Sequence, residues 1–97
     1  MTNTVRLGLS AQEDLRQAIQ WYEEGRSGLG SEFLAEADHI FDRIKDGPLQ
    51  FPKIDSGVRR ALFRRFPYAV YFIIESDRIE ILAVLHLRRD PERWRSR

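Results

Sequence analysis

The chain has no cysteine, which excludes a disulfide framework and a thiolate metal site. Its two histidines, His39 and His86, are too few to suggest structural zinc, and nothing in the sequence calls for a cofactor. The longest uncharged apolar runs, Tyr68–Ile74 and Ile81–Leu85, fall far short of the ~20 residues a membrane helix needs. The first residues, MTNTVRLGLSAQEDL, contain no basic region followed by a long apolar run, so no signal peptide is expected. A cytoplasmic protein is the default expectation. No repeat or low-complexity segment is visible. Lysine is absent after Lys53, so arginine alone carries the positive charge of the second half.

What is present points to one folded domain over residues 1–97. An apolar content of 42% with 11% aromatics argues against disorder. A chain of this size buries roughly 60–65% of its unfolded surface, enough for one modest core. Charge is divided unevenly. Residues 1–57 hold 6 Lys/Arg against 10 Asp/Glu, a net of −4, and residues 58–97 hold 10 Arg against 5 Asp/Glu, a net of +5. The overall +1 therefore hides a basic half suited to an anionic partner.

Val5, Leu7 and Leu9 alternate with Arg6 and Gly8, a strand pattern. Ser10 and Glu13 have capping-box spacing and predict a helix start. Ala11, Leu15, Ala18, Ile19 and Tyr22 fall on one face of that helix, which Gly25 and Gly28 end. A second helix is predicted from about Gly30 to Lys45. Phe33, Ala37, Ile40, Phe41 and Ile44 lie inside it, and Glu32, Glu36, Asp42 and Arg43 on a solvated outer side. The short Gly-containing turn makes the pair an antiparallel hairpin. Gly47-Pro48 opens a loop that runs to Gly57. Three strands follow at Val58–Phe66, Ala69–Glu75 and Ile79–Leu87. Asp90-Pro91 then signals a short C-terminal helical turn through Trp94, with Asp90 as its cap. The order predicts an α+β fold: an N-terminal strand, a two-helix hairpin and an antiparallel three-stranded meander in one twisted sheet.

Strict alternation in the last strand places Ile79, Ile81, Ala83, Leu85 and Leu87 toward the helices. Leu82, Val84, His86 and Arg88 then face outward. Three uses of this surface compete. His86 with Arg60, Arg64 and Arg88 could form a metal-independent endoribonuclease centre, the histidine as acid or base and the arginines on phosphate. The arginine pairs could instead bind a nucleic acid or an acidic protein, or merely protect an edge strand. The patch near Trp94 could be a docking groove, unless Trp94 folds back and covers it.

The residues also resemble the RelE/ParE superfamily of toxins from type II toxin–antitoxin modules, most closely its ParE-like branch. The resemblance runs in order through Leu9-Ser10, Ala11, Asp14-Leu15, Gly28-Leu29-Gly30, Glu32-Phe33-Leu34, Pro48 and Phe51-Pro52. It continues through Arg59-Arg60, Phe66-Pro67-Tyr68, Val70-Tyr71, Val84-Leu85-His86, Arg89-Asp90-Pro91 and Trp94. It implies a toxin held silent in a hetero-oligomer with a cognate antitoxin, whose acidic tail would suit Leu82, Val84 and His86. A ParE-like toxin poisons DNA gyrase and is not itself an enzyme. Its target contacts would come from Arg59, Arg60, Arg64, Arg65, Arg88, Arg89, Arg93 and Trp94. The RelE-like alternative cuts messenger RNA in the ribosome. That branch typically carries sheet lysines or a glutamate, and a tyrosine or histidine near the C-terminus. Here no tyrosine follows Tyr71, and Glu75 and Glu80 sit far along the strand from His86, so the gyrase-directed reading is preferred. A partner-binding module without toxicity is the third alternative.

Overall fold

A computed structural model describes residues 4–97. Strand β1 (Thr4–Leu7) leads into helices α1 (Leu9–Gly25) and α2 (Leu29–Asp46). After a short 3-10 turn at Pro48–Gln50 come β2 (Lys53–Asp55), β3 (Val58–Leu62), β4 (Tyr68–Glu75) and β5 (Arg78–His86). A 3-10 turn at Arg93–Ser96 closes the chain. One five-stranded sheet has the order β1-β5-β4-β3-β2. β1 runs parallel to β5, while the other pairs are antiparallel. The α+β architecture expected from the sequence is present. Among the described residues, no helix is long and apolar enough to cross a membrane.

The hairpin packs on one sheet face through the helical positions the periodicity predicted. Phe33, Ala37, Ile40 and Ile44 meet Val70, Phe72, Ile79 and Ile81 in one cluster. Rings of Tyr22, Phe33, Phe63, Phe66 and Tyr68 pack together at 4.7–6.4 Å between centroids. The turn between the helices rests on glycine. Gly28 has φ +91°, and a Cβ on Gly30 would lie 2.7 Å from the Ile19 carbonyl of α1. The Glu23 carboxylate of α1 accepts the N–H groups of Gly28 and Gly30, filling the donors at the start of α2.

Several local expectations change. α1 begins at Leu9, with Gly8 at its cap and no side-chain cap bond. The Ser10–Glu13 box therefore does not form, and Glu13 instead binds Arg16 and Gln17. A strand, β2, occupies part of the segment expected to be loop, paired to β3 through an irregular register. β3 ends at Leu62 because Phe63–Pro67 form a tight connection. Glu36 there accepts the backbone N–H groups of Arg64 and Arg65. Glu32 likewise pairs with the Arg65 guanidinium, so the outer side of α2 is engaged rather than merely solvated. At the C-terminus Glu92, not Asp90, occupies the cap, again without a side-chain bond.

The largest correction concerns β5. Tyr71 pairs with Ala83 but Phe72 with Ile81, leaving Leu82 as a bulge residue. One extra residue transfers every later side chain to the opposite face. Ile79 and Ile81 meet the helices as predicted. Beyond the bulge Val84 joins them, while Ala83, Leu85 and Leu87 turn to the second face. That second face is not open. Trp94 is 5% exposed and packs with Val58, Tyr71, Ala83 and Leu85. Its ring stacks on Tyr71 at 5.9 Å, and its indole N–H donates to the Pro91 carbonyl at 2.9 Å.

Candidate functional site

The bulge determines what surrounds His86. It pairs across the sheet with Tyr68, and their rings meet edge-on at 5.2 Å. Its Nδ1 accepts the backbone N–H groups of Arg88 (3.0 Å) and Arg89 (3.2 Å). The Asp90 N–H reaches the His86 carbonyl. His86 therefore forms the turn that leaves β5, and accepting two N–H bonds requires an unprotonated Nδ1. Burial lowers its pKa, and the charges of Arg89 and Arg88 lower it further. Neutral imidazole with its proton on Nε2 is the form that fits.

A pocket of about 180 Å³ lies between α1 and the end of β5, with Trp21, Tyr68, His86, Arg89 and Arg93 among its lining. Arg89 donates to the Tyr68 hydroxyl at 3.1 Å and lies 5.3 Å above the Trp21 ring. Burial raises the Tyr68 pKa against the pull of Arg89. Asp14, also in the lining, accepts the Val84 N–H at 3.0 Å. It also takes both Arg97 terminal nitrogens, one of them at 3.0 Å. The Asp14 and Arg97 side chains are 8% and 15% exposed.

Arg60, Arg64 and Arg65 line a different cleft, of about 830 Å³, between α2 and the β3 end of the sheet. Arg59 donates to the Phe51 carbonyl at 2.6 Å. Arg60 pairs with Tyr71 across β3 and β4, and its charge opposes the rise that burial gives the Tyr71 pKa. Arg65 is paired with Glu32. Among the described residues, the side chains of Arg64, Arg88 and Arg93 make no hydrogen bond or ion pair. The structure thus divides the expected residues among separate places. His86, Arg89 and Arg93 share one pocket, Arg60, Arg64 and Arg65 share the other, and Trp94 is in the core. Of the residues suggested for an antitoxin, Val84 is 1% exposed beneath the helices and Leu82 is half-buried against the Trp94 cluster.

Sequence reasoning passed over Trp21, and noted Asp14 only within the family resemblance. The signal was available, since Ala11, Asp14, Ala18 and Trp21 recur at intervals of three and four along one helix face.

A family model described as the ParE toxin of the type II toxin–antitoxin system, parDE, matches residues 5–91. Two solved structures share the fold. One is a chromosomal ParDE toxin–antitoxin system from P. aeruginosa, with a TM-score of 0.67 and 20% identity, covering 88% of this chain and 96% of that one. The other is the RelBE2 toxin–antitoxin complex from Mycobacterium tuberculosis, with a TM-score of 0.62 and 22% identity, covering 89% and 99%. No curated protein matches in sequence. The chain belongs to the ParE toxin family of type II toxin–antitoxin systems.

Proposed function

We propose that this ParE-family toxin acts in the cytoplasm on DNA gyrase rather than as a ribonuclease, and that a cognate antitoxin neutralises it in a hetero-oligomer. The observation that carries the choice of target is the state of His86. A phosphodiester-cleaving centre needs an acid–base pair and converging cations. Here Nδ1 is occupied by two backbone N–H groups, Asp14 is tied to Arg97, and of the expected cations Arg60 and Arg64 line another cleft, leaving Arg89 and Arg93 beside His86. The side chains free to meet a partner are Arg64, Arg88 and Arg93 at the rims, with His86 half-exposed beside them. Family membership supports the antitoxin partner.

The experiment is a supercoiling and DNA-cleavage assay with purified gyrase, run beside mRNA cleavage on translating ribosomes. Gyrase inhibition without mRNA cleavage is expected. An Arg64→Ala/Arg88→Ala/Arg93→Ala variant should keep its fold and lose the inhibition. Messenger RNA cleavage that disappears in His86→Ala would overturn the reading in favour of the ribosomal one. Inactivity in both assays and harmless expression would favour a partner-binding module.

A further inference from the structure

We infer that the cleft between α2 and the β3 end of the sheet binds a nucleotide, with its base on the free backbone edge at Leu62 and its phosphate on Arg64. The inference stands apart from the choice between gyrase and ribosome as target.

The free edge follows from the strand register. Phe63 donates its N–H to the Tyr68 carbonyl at 3.0 Å, so Arg59, Ala61 and Phe63 turn their backbone groups toward β4. Arg60, Leu62 and Arg64 turn theirs the other way. The Arg60 N–H reaches the Pro52 carbonyl at 3.1 Å, and Glu36 holds the Arg64 N–H. Leu62 lies between them, beyond the reach of β2, which pairs with Val58 and Arg59. Among the described residues the Leu62 N–H and C=O have no partner on that side. In an extended residue the two point the same way, a donor beside an acceptor.

The cleft at this edge holds about 830 Å³, within the range of small-ligand sites. Ile40, Phe51 and Phe63 give it an apolar floor. Arg43, Arg60, Arg64 and Arg65 line it against the carboxylates Glu32 and Glu36. Both carboxylates are already engaged, Glu32 by Arg26 and Arg65, Glu36 by the N–H groups of Arg64 and Arg65. The Arg43 guanidinium is held over the Phe51 ring at 5.2 Å, and a guanidinium plane is a surface on which a base stacks. The Arg64 side chain is exposed and has no hydrogen bond or ion pair among the described residues, which leaves it for a phosphate.

The open edge is one residue long, and that selects among ligands. A peptide strand bonds at every second residue, and its next bonds would meet N–H groups already taken by Pro52 and Glu36. A second copy laid antiparallel across Leu62 would set Arg60 of each chain against Arg64 of the other, and like charges directly opposite repel. A lipid tail would cover the Leu62 N–H and C=O with nothing to bond them. A nucleobase presents one planar edge of neighbouring donor and acceptor, which a single residue satisfies.

Amide NMR with adenosine monophosphate (AMP) tests the inference. AMP should move the Leu62 amide resonance saturably and leave β1, at the opposite edge of the sheet, in place. The 6-dimethylamino analogue keeps the phosphate but has lost the donor of the base, and should bind about tenfold more weakly. Arg64→Ala should weaken AMP by about tenfold, the size of one charge-assisted hydrogen bond, and leave adenosine unchanged. Arg6→Ala removes an equal charge on β1 and should leave the AMP affinity unchanged. Hexaadenylate distinguishes the sources of the ligand: affinity like that of AMP assigns a free nucleotide, and much tighter binding assigns a nucleotide within a strand. An unmoved Leu62 amide, equal binding of the dimethylated analogue, or equal losses in Arg6→Ala and Arg64→Ala would overturn the site. So would a Leu62 shift given by blocked hexathreonine and not by AMP, which would assign the edge to a peptide. Gyrase and ribosomes are absent from the assay, so failure of either target reading leaves its outcome intact.

Discussion

Replacing Asp14 by alanine should loosen the joint between α1, the β5 bulge and the C-terminal segment. Three donors converge on its carboxylate: the Val84 N–H at 3.0 Å and two nitrogens of Arg97. Removing one partner of a buried pair costs about 3–5 kcal/mol when the other charge stays trapped. The Arg97 side chain is 15% exposed although the residue as a whole is exposed, so its charge can swing into water. The remaining cost is chiefly the orphaned Val84 N–H, about 1–3 kcal/mol. About 2–3 kcal/mol is therefore expected for Asp14→Ala. For a domain of this size each kcal/mol moves Tm by roughly 4–8 °C. Asp14→Asn keeps an acceptor for Val84 and should cost less, about 1 kcal/mol. Urea unfolding gives the free energies, and amide exchange at Val84 locates the effect. A coupling energy between Asp14→Ala and Arg97→Ala within error of zero would show that the pair does no stabilising. An Asp14→Ala protein within 0.5 kcal/mol of the parent, with Val84 still protected, would refute the whole argument.

Trp94→Ala should be severe, costing about 3–5 kcal/mol by urea unfolding, because it empties the centre of the second core cluster. Gly30→Ala places a methyl 2.7 Å from the Ile19 carbonyl and should cost about 1–3 kcal/mol by thermal unfolding, since overpacked backbone cannot yield as a flexible side chain would. Acid should weaken the fold in a defined range. Arg16 lowers the Glu13 pKa from 4.5 to about 2, while Arg65 and Arg95 depress Glu32 and Asp55. A depressed carboxyl contributes fully above its unfolded pKa and loses that contribution as pH falls through the folded value. The contribution of these exposed groups should fade from about pH 4.5 downward, and carboxyl NMR titration should find all three protonating below their ordinary values, Glu13 at about 2. The same titration followed through the imidazole should place His86 below the ordinary histidine value, with Nε2 as its protonated nitrogen.

The order of elements was legible because hydrophobic period marks helices and strands before tertiary contacts act. Val84 and His86 were misplaced for a physical reason. Ile79–Leu85 contains only Glu80 among apolar residues, so the run has no alternation that would reveal a slip. Neither glycine nor proline marks the bulge at Leu82. β2 was missed because it has three residues between Pro52 and Gly57, too few for a period-two signal. The capping box failed through competition: Gly8 enters the helix through its backbone while its N–H donates to the Ile81 carbonyl of β5. Glu13 was then left free for Arg16. The roles of Glu32 and Glu36 depend on the chain returning beside α2 about thirty residues later, and no local pattern encodes that.

These corrections move the proposed contacts from the face of the sheet to its rims. Had β5 alternated without a bulge, His86 would have joined Leu82 and Val84 on an outward surface. The extra residue instead puts Val84 under α1 and brings His86 to the end of that helix, beside Trp21. It also sends Leu85 to the second face, where Trp94 and Tyr71 cover it. Both faces are then closed by the protein itself, and detaching residues 88–97 would expose an aromatic and aliphatic surface that water disfavours. The proposed partner contacts are then sought at the rims that the two covers leave uncovered. Those rims include Arg64 at the connection after β3, Arg88 past the end of β5, and the Trp21–Arg89–Arg93 pocket. Half of the ten arginines of the basic half are spent on the fold: Arg59 on Phe51, Arg60 beside Tyr71, Arg65 on Glu32, Arg95 on Asp55 and Arg97 on Asp14. Net charge alone overstates the binding surface, and the rim residues distinguish a contact from a support.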